Sequence, residues 1–127
     1  MPGPRIRLTR LELELMDIVW NMEKASVREV QEAIPEKKRP AYTTVQTILN
    51  RLEEKGALRK ARKIGNAWIF EPVITRTKTH QRLIDELLEL IGGSAAPVVS
   101  HLIDSGRLTL EDLKVIEERL DARGEKR

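Results

Sequence analysis

The stretch Arg39–Gly56, RPAYTTVQTILNRLEEKG, decides the fold. Val45, Ile48, Leu49 and Leu52 recur at i, i+3, i+4 and i+7, the apolar stripe of a helix packed on one side. Gly56 stands where a left-handed residue ends such a helix. The polar side is unusual. A helix that needs only solubility carries glutamate and lysine, whereas this one carries Thr43, Thr44, Gln46, Thr47 and Asn50. Its carboxylates come late, at Glu53 and Glu54.

Upstream, helix starts are legible. In LTRLEL, Thr9 and Glu12 have the spacing of a capping box, flanked by Leu8 and Leu13 at the staple positions. Leu11, Leu15, Ile18, Val19 and Met22 continue at the helical period, which predicts that they face the core. ASVREV repeats the device with Ser26 and Glu29, between Ala25 and Val30. Pro35 ends that second helix near Ile34. A basic linker, PEKKRP, leads into the polar helix.

Downstream of Gly56 the period changes. ALRKARKIGNAWIFEP reads as two short strands around a turn at Ile64-Gly65-Asn66. The first arm is basic, with Arg59, Lys60, Arg62 and Lys63, and the second is apolar, with Trp68, Ile69 and Phe70. Alternation along that arm predicts core packing for Trp68 and Phe70 over stacking on single-stranded bases. Helix, short helix, polar helix and hairpin follow the order of a winged helix-turn-helix. The fold expected is therefore mainly α with a small β-hairpin: a winged-helix DNA-binding domain over residues 1–75 and a helical dimerisation domain over 76–127.

The second region reads as three amphipathic helices. The first aligns Leu83, Ile84, Leu87, Leu88 and Ile91; GGS breaks it. APVVSHLIDSG follows, with Val98, Val99, Leu102 and Ile103. A third capping box, Thr109 and Asp112, opens a helix presenting Leu113, Ile116 and Leu120. Such short helices bury too little to stand alone. They fold back on the first domain or pair with a second copy, and pairing is favoured because two-fold symmetry serves a DNA reader. The tail DARGEKR is expected to fray.

Charge is distributed unevenly. Residues 1–75 carry a net +4, from 14 basic and 10 acidic groups, and residues 76–127 a net −1, from 9 and 10. Between Lys37 and Lys63 nine basic residues face only Glu53 and Glu54, a local +7. That suits a polyanion, or a solvated basic face. With 40% hydrophobic and 34% charged residues, the 127-residue chain is not of a disordered composition. The absence of cysteine excludes disulfides and thiolate metal sites and fits the cytoplasm. No apolar run nears the roughly 20 residues of a membrane span. The start, MPGPRIRLTRLELE, lacks the apolar core of a signal peptide.

The polar face suits a duplex. The second helix of a helix-turn-helix enters the major groove, where threonine meets phosphate or a thymine methyl and glutamine reads adenine. Carboxylates there would be repelled. The alternative, that Thr43, Thr44 or Tyr42 merely caps the helix, accounts for one residue and not for the series. The expected DNA-binding residues are Thr43, Thr44, Gln46, Thr47, Asn50 and Arg51 on the helix and Arg62 and Lys63 at the hairpin tip. Arg51 reaches phosphate or pairs on the surface, and Tyr42 touches phosphate or packs under the turn; the sequence leaves both open. No cofactor or metal is expected. His80 and His101 lack ligand spacing, and no nucleophile motif or Gly-rich phosphate loop occurs, so the chain does not read as an enzyme. The carboxylates read as helix caps and exposed helix faces.

These segments together resemble the penicillinase-repressor family of BlaI/MecI-type regulators. LTRLELELMDIVW, SVREVQEAI, AYTTVQTILNRLEEKGALRKARKIGNAWIFEP and LLELIGGSAAPVVSHLIDSGRLTLEDLKVIEERL carry the resemblance, from Leu8 to Leu120. It implies a cytoplasmic homodimeric repressor whose winged helix binds a palindromic operator and whose C-terminal helices form the dimer. By position it places Thr43, Thr44, Thr47 and Arg51 on the recognition helix and Arg62 and Lys63 on the wing. It also implies a sensor or protease system that induces by cleaving an Asn-Phe bond. Here that pair is His101-Leu102, so induction by that cleavage is not carried over. A copper-responsive branch uses C-terminal cysteine pairs, which this chain lacks. The competing reading is a winged-helix protein-interaction module without specific DNA binding.

Overall fold

The computed structural model describes residues 6–124 and divides into two compact units, one ending at Arg82 and one beginning at Leu83. The first holds α1 (Arg10–Met22), α2 (Val27–Ala33), a single 3-10 turn (Glu36–Lys38), α3 (Tyr42–Glu54), β1 (Leu58–Ile64) and β2 (Ala67–Pro72). Helix α4 (Arg76–Leu90) runs from the first unit into the second, where α5 (Ala96–Asp104) and α6 (Leu110–Ala122) follow.

All three capping boxes form. The Glu12 backbone N–H donates to Thr9 Oγ1 at 3.2 Å while Thr9 N–H donates to Glu12 Oε1 at 2.8 Å. Ser26 with Glu29 and Thr109 with Asp112 repeat the reciprocal pair. Helix α3 ends in a Schellman motif: Ala57 N–H donates to Leu52 O at 2.9 Å and Gly56 N–H to Glu53 O at 3.0 Å. Gly56 has φ +86°, a conformation that a side chain would strain, and it turns the chain directly into β1.

The core of this unit is aliphatic with one ring. Leu15, Met16 and Val19 of α1 meet Val27 and Val30 of α2 and Val45, Ile48, Leu49 and Leu52 of α3, closed by Leu58 and Phe70 of the hairpin. Ala25, between α1 and α2, forms an isolated antiparallel bridge to the edge of the two-stranded hairpin: its N–H and C=O exchange hydrogen bonds with Phe70 at 3.0 and 2.8 Å.

The buried stripe of α1 differs from the one expected. Leu11 and Met22 are exposed, Ile18 is half-buried, and the stripe is Glu12, Leu15, Met16 and Val19. An acidic residue joins a core stripe because the fold supplies a partner. Lys55 Nζ, just past the end of α3, lies 2.6 Å from Glu12 Oε1 and also donates to Arg7 O at 2.9 Å. The carboxylates are thus not confined to caps and exposed faces. Burial pushes the Glu12 carboxyl up, but the Lys55 ammonium and the Thr9 N–H outweigh it and hold it below its ordinary 4.5.

Two consequences are testable. Glu12→Ala removes a buried partner and a cap acceptor together. Loss of one member of a buried pair costs about 3–5 kcal/mol, and because Lys55 keeps a route to water we expect about 2–3 kcal/mol in urea unfolding at neutral pH. A carboxyl held low in the folded state stabilises above its unfolded value and loses that contribution as pH falls through the folded one. Wild-type stability should therefore drop below about pH 4.5, more steeply than in Glu12→Gln, as read from urea midpoints across pH.

The start of α4 is tied to α1. Arg76 donates to Asp17 O, Asp17 Oδ1 and Asn21 Oδ1 at 3.1, 2.9 and 2.7 Å, and its guanidinium lies over the Trp20 ring. Trp20 Nε1–H donates to Ile74 O at 2.9 Å. His80 meets the Trp20 ring edge-on, at 6.2 Å between centroids.

In the second unit Pro97 occupies the first turn of α5, where a missing N–H costs nothing. No described residue of α4, α5 or α6 is buried. Of the tail expected to fray, Asp121 and Ala122 lie within α6, Arg123 and Gly124 follow it, and 125–127 lie outside the described residues.

Candidate nucleic-acid interface

Helix α3 begins differently from α1, α2 and α6. Those three open on a side-chain cap and an acidic first turn; α3 has neither. Its N-cap is Ala41, so the threonines do not cap, and Tyr42, Thr43 and Thr44 form the first turn themselves. The reason is chemical: alanine has no side-chain oxygen for the free N–H groups, and its backbone O accepts only from Thr44 and Val45, at 3.0 and 3.1 Å. Those groups and the positive end of the helix dipole are left uncovered by any side chain.

With Val45, Ile48, Leu49 and Leu52 buried, the opposite face is fixed. Thr43, Thr44, Gln46, Thr47 and Arg51 are all exposed, and Asn50 is half-buried. Thr47 Oγ1–H donates to Thr43 O at 2.8 Å, which ties the hydroxyl back to the helix's own backbone. Arg51 has no ion-pair partner among the described residues. Tyr42 is 40% exposed at the helix start rather than packed under the turn.

The hairpin turns at Gly65-Asn66, with Ile64 opposite Ala67. Lys60 stands opposite Phe70, Arg62 opposite Ile69 and Lys63 opposite Trp68, with Ala61 as the extra residue of a bulge. Cross-strand partners share a face, so the bulge puts Lys60 and Lys63 on the face of Trp68 and Phe70 and Arg62 on the other. Arg62 and Lys63, expected together at the tip, thus point to opposite sides of the wing.

Trp68 corrects an expectation. Phe70 is buried, but Trp68 is 40% exposed, with Lys60 Nζ 5.4 Å and Lys63 Nζ 5.5 Å from its ring centroid. Alternation put both aromatics on one face correctly. The helices cover that face only as far as Phe70, which Ala25 brackets, and the hairpin runs on beyond them.

The nine basic residues divide by task. Arg39 donates to Ile34 O and Glu32 O, Lys55 pairs with Glu12, and Arg59 pairs with Glu71, its Nε 2.8 Å from Oε2. Lys37, Lys38, Arg51, Lys60, Arg62 and Lys63 make no ion pair among the described residues. The electrostatic surface is smaller than the sequence charge suggests and is concentrated on the linker, α3 and the wing.

The second candidate surface is apolar. Leu83 and Leu87 of α4 and Ile91, just past its end, are 38%, 45% and 39% exposed. Val99 and Ile103 of α5 and Leu113, Ile116 and Leu120 of α6 are exposed too, while Leu88 and Leu102 are half-buried. His101, beside Leu102, is exposed. Among the described residues no cluster of His, Cys, Asp or Glu is placed to hold a metal ion, and no helix is long and apolar enough to cross a membrane.

The chain is similar to known proteins. The penicillinase repressor family model matches residues 8–122. The transcriptional regulator BlaI of Mycobacterium tuberculosis is 34% identical over 101 residues, which span 79% of this chain and 64% of that protein. An uncharacterized 16.5 kDa protein of Latilactobacillus sakei is 26% identical over 117 residues, 91% of this chain and 80% of its own length. Among solved structures, the solution structure of the DNA binding domain of the repressor BlaI has a TM-score of 0.51 and 29% identity, covering 59% of this chain and 92% of that domain.

Proposed function

Because the chain belongs to the penicillinase repressor family, a family of winged-helix transcriptional repressors and not of enzymes, we propose that it is a homodimeric repressor of a palindromic operator. In this reading residues 1–75 bind DNA and residues 76–127 dimerise. α3 enters the major groove, with Thr43, Thr44, Gln46, Thr47, Asn50 and Arg51 toward the duplex, and Arg62 and Lys63 of the wing meet the backbone. The protein works in the cytoplasm, where its DNA is.

The observation that carries the reading is the start of α3. Three helices of this chain are closed by a hydroxyl and a carboxylate; α3, like α5, begins on an alanine without a side-chain cap, and at α3 the open end is surrounded by hydroxyls. Open N–H groups at a positive dipole end are an anion site. Gln46 offers both donor and acceptor to an adenine, and exposed Thr47, its hydroxyl spent on Thr43 O, keeps a methyl for apolar contact with a thymine methyl. Dimerisation is supported by the C-terminal helices, whose apolar faces are uncovered in a single chain. The inducing sensor or protease system that the family resemblance implies would have to act other than on an Asn-Phe bond, since α5 holds His101-Leu102.

Selection of bound duplexes from a random pool, with the protein's mass in solution measured alongside, tests the whole. Enrichment of one inverted repeat by a dimer is expected. Weak binding without enrichment would assign the basic surface to non-specific DNA or a protein partner. Arg62→Ala with Lys63→Ala should weaken all duplexes about equally and lower the slope of log K against log salt by about 1–2. An unchanged slope would remove those two side chains from the phosphate contacts.

A further inference from the structure

We propose that Trp68, Lys60 and Lys63 form a second gripping element on the wing, which holds the sugar-phosphate backbone of the duplex irrespective of sequence. The inference rests on the DNA-binding reading, which uses Lys63 alone of the three, and adds Trp68 and Lys60 to it. Its starting point is an indole left 40% exposed with ammonium groups 5.4 and 5.5 Å from its centroid. Neither lysine has a carboxylate partner among the described residues, although Glu71 in the same hairpin pairs with Arg59 and with Lys24.

The bulge at Ala61 creates the cluster. Without the extra residue the alternation of β1 would put Lys60 and Lys63 on opposite faces; with it, both fall on the face of Trp68. A lysine on an open strand loses rotamer freedom when it meets a phosphate, and an aromatic face that already holds the ammonium reduces that loss. The ring attracts cations without neutralising them, so the pair stays available to an anion. The occupant is argued from charge: two positive ends on an apolar plate match phosphates flanking a deoxyribose, whose carbon face packs on the indole. Arg62, on the other face, is left for a separate contact.

A purely structural account is that the lysines only stiffen the hairpin. The test separates the two. The full-length protein is labelled with 5-fluorotryptophan, and the Trp68 fluorine resonance is identified as the one missing from Trp68→Phe. Random-sequence duplex is added until a fluorescent-duplex anisotropy assay reads saturation. The resonance is expected to shift with binding and to return as salt releases the DNA. Trp68→Ala, checked for an unchanged melting temperature, is expected to bind operator and random duplex about tenfold more weakly, and Trp68→Phe to recover most of that loss.

An unmoved resonance at saturation, or Trp68→Ala binding like wild type, overturns the proposal and leaves the repressor reading standing. Loss confined to the operator overturns it differently, by making the ring a sequence reader. Failure of the wild-type protein to bind any duplex removes the DNA reading, and this inference with it.

Discussion

Leu87→Asp is expected to separate the protein into monomers and to lower its operator affinity about a hundredfold or more, with the unfolding midpoint of the N-terminal unit unchanged. Leu87 sits in the middle of the apolar face of α4 and is 45% exposed in the single chain. α4, α5 and α6 fully bury none of their described residues, so in the proposed dimer their apolar faces gain most from the second copy. A carboxylate centred in an apolar interface is left without a partner and loses its hydration, which costs several kcal/mol. On one chain alone the same change lies on exposed surface and costs little. The loss in affinity follows from valency. A dimer places its second recognition helix on the second half-site as an intramolecular event, and linked sites gain about 10²–10⁴ over either alone. Sedimentation velocity and operator titration check both halves. A dimer that persists moves the interface off the centre of α4, and full affinity from a monomer removes the need for two-fold symmetry.

What could be read from the sequence was what short stretches decide by themselves. Thr9, Ser26 and Thr109 announced their helices because a capping box closes over three residues, whatever the rest of the chain does. Gly56 was legible for the same reason. The hydrophobic period placed α3 against the core because all four members of its stripe are apolar. What was not legible depends on residues far apart. Glu12 is buried only because Lys55, which follows 43 residues later, comes to 2.6 Å, and no local pattern announces that pair. Leu11 lost its place in the stripe as a result. Trp68 and Phe70 have the same face and nearly the same chemistry, and only the reach of the helices under the hairpin separates them. The bulge at Ala61 left no sign in the residue types, yet it sets which basic side chains share a side of the wing. In the candidate interface the residue types along α3 could be read. The open helix start could not, since Thr43, Thr44 and Tyr42 all compete with Ala41 for the cap.

Thr44→Asp draws the sharpest line between a structural and a functional role for that start. Thr44 is the third residue of α3 after the Ala41 cap, the position at which Glu12, Glu29 and Asp112 serve α1, α2 and α6. For stability alone an acid is the better choice there. A carboxylate in the first turn meets the positive end of the dipole, worth about 0.3–1 kcal/mol. The variant should therefore melt slightly higher than wild type. If the first turn of α3 receives a phosphate, the same carboxylate sits a few ångströms from a like charge. Operator affinity should then fall about a hundredfold at ~0.1 M salt, far more than Thr44→Ala, which removes one hydroxyl. The two signs are opposite, and no folding defect produces that combination: a higher melting temperature shows the helix intact while binding is lost. If affinity survives the acid, the open end of α3 faces away from the backbone and the recognition surface must be sought further along the helix, at Gln46, Thr47 and Asn50. If stability falls, the first turn is not the free anion site that its missing cap describes.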